Sequence, residues 1–295
     1  MRQRWQRLTQ HEDWNIGVVT APIHTFLGTD APPEVKWFPP NKRNLFRADP
    51  FAVVRDGVTH VFFEAFDYRI NRGYIQHCTL GPDGTPGEVE TVLDLPVHLS
   101  YPYLFRNGNR IYMLPETYQA NEAALYTATD FPRGWEKTKT LIKDFPALDS
   151  TVFEFEGCWW LICTRYDDPD PFELHIWYAD DLLGIWTPHS GNPVKRDVGS
   201  TRPAGTPFVH EGDLYRPAQD CSRAYGGAVV LNKVVKLTPT EFEEVPIARV
   251  EPDQKGPYRH GLHTLSSVGD FTLLDGAGRK CVPREMRRIL TARAR

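Results

Sequence analysis

The sequence predicts an all-β protein: a five-bladed β-propeller whose ring is closed by an N-terminal strand and which ends in a short C-terminal helix. Two observations carry this. Eight Trp, twelve Tyr and sixteen Phe beside twenty-five Pro and twenty-two Gly describe short, aromatic-rich strands broken by many turns, and stretches with helical spacing are nearly absent. In addition, five turns share one pattern: an apolar run, an acidic or amide residue with Gly, then a second apolar or aromatic run. Their glycines, Gly57, Gly108, Gly157, Gly212 and Gly269, recur about every fifty residues, the length of a four-stranded blade.

Each turn is a hairpin signal, because an Asp-Gly or Asn-Gly pair supplies the positive φ that a tight turn needs. The five hairpins run from Val53-Val54 into His60 to Phe63, from Leu104-Phe105 into Ile111 to Leu114, and from Val152-Phe153 into Trp159 to Ile162. The last two run from Phe208-Val209 into Leu214-Tyr215 and from Leu265 into Phe271 to Leu274. Third strands are expected at Gly73 to Cys78, Ala124 to Ala128 and Glu173 to Ala179. Outer segments are expected at Thr91 to Leu93, Lys139 to Ile142 and His189 to Val194. The last unit is short of strands, and Trp14 to Val19 is expected to supply one and close the ring, which removes open edges. Pro32 to Pro40 is a proline-rich connector containing Trp37 and Phe38, and Pro283 opens a basic helix reaching Arg295. Blades fall at roughly 46–97, 98–146, 147–199, 200–258 and 259–280 plus strand 14–19, within a single domain over 1–295.

A formal net charge of -4 and a pI near 6.2 leave no basic footprint for nucleic acid or an anionic membrane. The balance shifts to small-molecule or sugar ligands. Five scattered cysteines, mostly inside apolar runs, suit buried thiols in a reducing compartment better than a disulfide framework. A basic start without an apolar segment after it, and no apolar run of about eighteen residues, lead to the expectation of a soluble, cytoplasmic protein without membrane insertion. No phosphate loop, dinucleotide fingerprint or zinc-type Cys/His set occurs, so no cofactor is expected; a structural calcium or sodium ion in the channel stays open.

In a propeller the first strand of each blade lines the central channel, so polar residues heading these strands converge. The heads are Asp49, Ser100-Tyr101, Asp149, Arg202 and His263. Asp49 and Asp149 lie at the same offset from their turn glycines, which places them in equivalent positions of two blades. The ends of the second strands give a further set: Glu64, Glu116, Arg165, Arg216 with Gln219 and Asp220, and Asp275. A charge at the end of an apolar run is costly to bury unpaired, so Glu64 or Glu116 is expected to meet an Arg or a ligand. Trp37, Tyr101 and Tyr118 are candidate sugar platforms, whereas Trp159-Trp160 reads as blade core.

Ala48-Asp49-Pro50-Phe51 and Leu148-Asp149-Ser150-Thr151 in such a ring resemble the furanosidase-type glycoside hydrolases: the arabinanase and β-xylosidase group, and more distantly the invertase and levansucrase group. More narrowly, these two motifs with His98-Leu99-Ser100-Tyr101-Pro102, Pro115-Glu116-Thr117, Arg202-Pro203-Ala204-Gly205, Leu214 to Asp220 and Gly261-Leu262-His263-Thr264 resemble the N-terminal domain of glucosamine inositolphosphorylceramide transferases. The likeness runs from about Trp14 to Asp275, and the transferase domain itself has no counterpart. The resemblance implies a glycosidase-like enzyme acting on a furanosidic or anionic sugar. Asp49 would be the general base of an inverting hydrolase or the nucleophile of a retaining one, and Asp149 the carboxylate that tunes the acid and orients the sugar. The hydrolases carry their general acid as a Glu heading the fourth blade. This chain has Arg202 there, which cannot donate a proton at neutral pH. Either Glu116, the leading donor, or Glu64 has taken over, or Arg202 with Arg165 and Arg216 forms a cationic wall for a phosphate or carboxylate. The latter suits a domain that binds a glycan or sugar phosphate without cleaving it. Glu64, Tyr101, Arg165, Arg202, Arg216, Gln219, Asp220 and His263 are the candidate binding residues, and Asp49, Asp149 and Glu116 the catalytic ones.

Overall fold

The structure of the protein, a computed structural model, describes residues 10–28, 33–166 and 172–281. The helix expected after Pro283 lies outside them. Five antiparallel sheets follow one another as the blades of a propeller. The first blade is Leu45–Arg55, Val58–Asp67, Arg72–Leu80 and Glu90–Leu93, and the second is Ser100–Asn107, Arg110–Glu116, Glu122–Asp130 and Gly134–Lys143. The third is Ala147–Phe155, Cys158–Arg165 and Glu173–Ala179 with two short outer strands, Thr187–Pro188 and Lys195–Arg196. The fourth is Phe208–His210, Asp213–Asp220, Ala228–Leu237 and Phe242–Val250. The fifth holds Leu265–Val268 and Phe271–Cys281 and is completed by Gln10–Val19 and Lys36–Trp37. Gln10–Val19 runs against Phe271–Cys281 in unbroken register, which closes the ring as expected.

The turn chemistry explains the hairpins. Asp56-Gly57, Glu156-Gly157 and Glu211-Gly212 all have positive φ at both residues, the conformation whose twist matches that of the strands it joins. Blade packing explains why the second strands are apolar on both faces. Neighbouring residues of one strand point to opposite sides, and each side of a blade meets another blade. Phe62 packs with Phe51, Leu99, Tyr103 and Met113 towards the second blade. Phe63 packs with Ile16, Val18, Phe38 and Leu273 towards the fifth. Both rings are fully buried, each worth about 1.5–3 kcal/mol, so the ring is held by apolar contact at successive blade faces.

Two segments differ from expectation. Trp37 lies in the outer strand of the fifth blade, its ring 4.7 Å from that of Tyr258 and against Gly17 and Gly276, where added Cβ atoms would meet the indole at 3.1 and 2.4 Å. It is a packing residue rather than a sugar platform. His189 to Val194 is not a strand, because Pro193 lacks an N–H. Asn192 bonds both backbone groups of Ile176 through its side chain, at 2.8 and 2.7 Å, between backbone bonds from His189 to Ile176 and from Val194 to Leu174.

Candidate functional site

The channel end of the ring is shaped by a bulge repeated in three blades. Ala48 faces Glu64 and Phe51 faces Phe62; Ser100 faces Glu116 and Tyr103 faces Leu114; Leu148 faces Thr164 and Thr151 faces Ile162. The slip leaves Asp49, Tyr101 and Asp149 in equivalent left-handed positions, with φ of 52°, 41° and 51°. Aspartate tolerates that region better than most residues. Each bulge takes one N–H out of the ladder, and a buried N–H needs an acceptor. The Asp49 N–H donates to Asp275 at 3.0 Å, the Tyr101 N–H to Asp49 at 3.2 Å and the Asp149 N–H to Glu116 at 2.9 Å. Gln219 donates to Asp149 at 3.3 Å from the fourth blade, and Gly205 bridges to Leu265 between the fourth and fifth. Every blade junction is therefore tied near the channel.

These residues wall a cavity of about 180 Å³. Asp49, Glu64, Glu116, Asp149, Arg202 and His263 form its charged lining, with Ser100, His98 and Glu12. Trp14, Phe46, Phe66 and Tyr225 supply rings.

Apart from Glu12, whose carboxylate accepts the Trp14 indole N–H at 3.0 Å, the charges fall into two paired groups and one unpaired carboxyl. In the first group Asp49 accepts from the Thr264 hydroxyl at 2.7 Å, and His263 Nδ1 lies 2.6 Å from Asp275 and 3.7 Å from Asp49. Burial pushes the Asp49 carboxyl up to about 6, against the pull of His263. Burial works against a charged His263, but Asp275 and Asp49 outweigh it and lift the imidazole to about 9. The ring is a cation at neutral pH, stacked 3.9 Å from Trp14. In the second group Arg202 pairs through Nε with Asp149, stands 4.0 Å from Glu116 and lies over the Tyr225 ring. Glu116 accepts from the Ser100 hydroxyl at 3.0 Å as well as from Asp149. Burial and the neighbouring Asp149 outweigh Arg202 and push its carboxyl up to about 8.

Glu64 is the unpaired one. It is 5% exposed, takes no hydrogen bond among the described residues, and has His98 Nε2 at 3.6 Å. His98 Nδ1 accepts the Gly73 N–H at 2.9 Å, so the ring proton sits on Nε2, towards Glu64. Burial holds His98 down at about 4, so it brings no charge. Burial and the negative field of Asp49 and Glu116 drive Glu64 well above the usual carboxylate range.

Of the remaining expected residues, Tyr101 is fully buried. Its hydroxyl lies 2.9 Å from Thr151 and accepts the Gly205 N–H at 2.7 Å, which makes it a wedge between blades rather than a platform. Gln219 holds Asp149 and the Pro203 carbonyl. Asp220 accepts from Arg249 and the Ser222 N–H on the far side of its strand. Arg216 is buried against Glu244 and the Ser200 and Thr201 carbonyls, and Arg165 lies over the Phe145 ring. Neither lines the cavity, so the three arginines do not form one cationic wall. Ser100 is one of the expected strand heads, whereas Thr264, Trp14 and Tyr225 are site residues that motif reading did not select. Thr264 had a signal, since it directly follows a strand head.

Asp49, His263 and Asp275 each offer a ligand atom within 4.8 Å of the others. Two carboxylates and an imidazole are a donor set that suits a divalent cation.

A profile described as the N-terminal part of glucosamine inositolphosphorylceramide transferase 1 matches residues 19–262. The chain belongs to this family. Its resemblance to the family in the ordered motifs is thereby borne out. The glucosamine inositolphosphorylceramide transferase 1 of Oryza sativa subsp. japonica is 38% identical over 270 residues, covering 86% of this chain and 36% of that protein. The one of Arabidopsis thaliana is 35% identical over 247 residues, covering 78% and 32%. The family member described here thus spans about a third of the length of these curated relatives. Among solved structures, an α-L-arabinofuranosidase from Podospora anserina superposes with a TM-score of 0.60 at 14% identity, covering 79% of this chain and 81% of that one. A family 117 glycoside hydrolase from Zobellia galactanivorans gives 0.54 at 12%, covering 80% and 85%. At such identities the likeness is one of fold, which this family shares with glycoside hydrolases.

Proposed function

We propose that the cavity holds one sugar unit and processes its glycosidic bond, with Asp49 as the ionised carboxylate and Glu64 as the protonated carboxyl that donates to the leaving oxygen. One observation carries the reading: of two carboxyls on adjacent strands of one blade, Asp49 is hydrogen-bonded and faces a cation, while Glu64 is buried without a hydrogen bond among the described residues. Asp49 is fed by a hydroxyl, a backbone N–H and an imidazolium, whereas Glu64 faces only a neutral imidazole. Hydrogen bonds to the charged form favour ionisation, and unpaired burial opposes it. Glycoside cleavage needs one carboxyl of each kind. Glu116, the donor first favoured from its motif, has both oxygens engaged, by Ser100 and Asp149. The cavity volume of about 180 Å³ is below the roughly 300–1,000 Å³ of pockets for larger ligands, which supports a single unit. The two lining cations are each paired with aspartate, which supports a neutral sugar over a phosphorylated one.

A panel of 4-nitrophenyl furanosides and pyranosides, with matching unactivated disaccharides, tests this. Asp49→Asn is expected to lose about a hundredfold or more on both kinds of substrate. Glu64→Gln is expected to lose about as much on disaccharides but little on nitrophenyl glycosides, whose leaving group needs no proton. Equal turnover of Glu64→Gln and wild type on disaccharides refutes the donor assignment.

A second reading is a domain that holds the sugar without cleaving it, in service of glycoconjugate synthesis. Arg202 favours it, because its pairing with Asp149 withdraws that carboxylate from chemistry. Wild-type sugar binding with no turnover of any panel member would establish it.

A further inference from the structure

The cavity opens beside a continuous strip of aromatic rings that its own wall begins. Phe46 and Phe66, register partners across the first blade, stack with centroids 5.0 Å apart, and both line the cavity. Phe66 meets His98 at 5.9 Å, and His98 meets Tyr118 at 6.1 Å. Tyr118 then stacks on Tyr166 at 4.2 Å. These rings come from the ends of strands and the loops of blades one to three, at the same end of the blades as Glu64 and Glu116. The strip therefore runs along the mouth, and it becomes more open outward. Phe46, Phe66, His98 and Tyr118 are half-buried, while Tyr166 is 55% exposed. Its edge is polar: Gln119 accepts the His98 backbone N–H at 2.8 Å and donates to the Tyr118 hydroxyl at 3.4 Å.

We propose that Tyr118 and Tyr166, reached over His98, bind the second and third units of a neutral oligosaccharide whose terminal unit occupies the cavity. This rests on the sugar-holding reading of that cavity. Three features select the occupant. The cavity takes one unit, so a longer ligand must leave it where the wall continues. Open aromatic faces edged by amide and hydroxyl groups match a sugar ring, which is apolar across its face and polar around its rim, whereas a lipid chain or apolar peptide would leave those polar edges unmatched. His98 is neutral, so the ring that joins the cavity to the two tyrosines adds no cation to favour an anionic chain. Exposed aromatic surface joined to a site is also unusual without a ligand.

Isothermal titration of the full chain with mono-, di- and trisaccharides of arabinose, galactose, mannose and glucosamine tests the proposal, alongside Tyr166→Ala, Tyr118→Ala and Tyr166→Phe. The expected result is a trisaccharide bound about tenfold or more tightly than its monosaccharide. Both alanine variants should lose that advantage, Tyr166→Phe should keep it, and monosaccharide affinity should not change. Affinity independent of ligand length in the wild type overturns the strip and leaves the cavity reading standing. So does an equal loss for mono- and trisaccharide in the alanine variants, which would mark the tyrosines as structural. If the wild type binds no member of the panel, the strip and the cavity reading fall together.

Discussion

Replacing Glu116 by Gln should change the way stability depends on pH. Glu116 is 4% exposed, and its carboxyl is pushed from an ordinary value of 4.5 up to about 8. Folding therefore holds its proton more tightly than the unfolded chain does. Where the native state binds more protons, stability falls as pH rises, so the contribution is complete below about 4.5 and is lost as pH climbs through about 8. At about 1.4 kcal/mol per unit, the loss reaches on the order of 5 kcal/mol above pH 8. By pH 5.5 roughly 1.4 kcal/mol of it has gone, because the unfolded carboxyl is already ionised. Glutamine resembles the protonated form. Its oxygen accepts the Asp149 N–H, and its amide faces the Ser100 hydroxyl, which can turn to accept. The stability difference between Glu116→Gln and wild type should therefore grow in the variant's favour by on the order of 3 kcal/mol between pH 5.5 and pH 9. Urea unfolding at both pH values measures it. Two stability curves that run parallel across that range would refute the reasoning, since Glu116 would then ionise alike in the folded and unfolded chains.

Three further predictions concern the joints of the ring. Arg202→Met leaves Asp149 and Glu116 buried without their cation and should destabilise by about 3–5 kcal/mol; adding Asp149→Asn should recover most of that, as read by urea midpoints. His263 has a raised value of about 9, so its stabilising effect is complete below about 6.5 and fades as pH rises through about 9; the gap in thermal unfolding between wild type and His263→Gln should narrow from pH 6 to pH 10. Gly205→Ala puts a Cβ 1.9 Å from the Leu265 carbonyl oxygen at a φ of +128° and should prevent soluble folding, whereas Gly108→Ala, with open space at φ +57°, should cost only about 1 kcal/mol, a contrast that circular dichroism and expression yield would display.

What was legible in the sequence was local and repeated. The turn glycines announce the hairpins, because few residues tolerate the φ those turns need. The shared offset of Asp49 and Asp149 from their glycines places both on the same bulge of their blades. Tyr101 occupies that bulge in the second blade, yet its aromatic side chain turns inward as a wedge, which its position alone did not reveal. Lys36–Trp37 was hidden because a two-residue edge strand inside a proline-rich stretch has no periodicity to read. The partners of buried charges were hidden for a different reason. Arg216 looks like a channel residue by strand position, but Glu244, on the outer strand of the same blade, claims it. The strand runs on past Pro217 to Asp220, so Arg216 sits in mid-strand where its motif suggests an end, and pattern does not encode which partner a mid-strand side chain meets.

The bulges also explain why Glu64 stands apart from the other carboxyls. Each bulge releases an N–H that must find an acceptor, and in two cases a carboxyl on the second strand of the preceding blade serves. Asp275 takes Asp49, and Glu116 takes Asp149. By the same geometry Glu64 should take the N–H of Tyr101, but Asp49 already does. Glu64 is thus left without the joint its counterparts serve, buried at the cavity with its carboxyl driven well above the usual range. A carboxyl in that state weakens the fold without a structural return, unlike Glu116, whose proton comes with two hydrogen bonds. Strongly shifted groups in a cleft that lack a structural partner are where function concentrates. The pair to interrogate is therefore Asp49 and Glu64 on one blade, with Arg202 and Asp149 across the channel acting as the neutralised wall against which a sugar would rest.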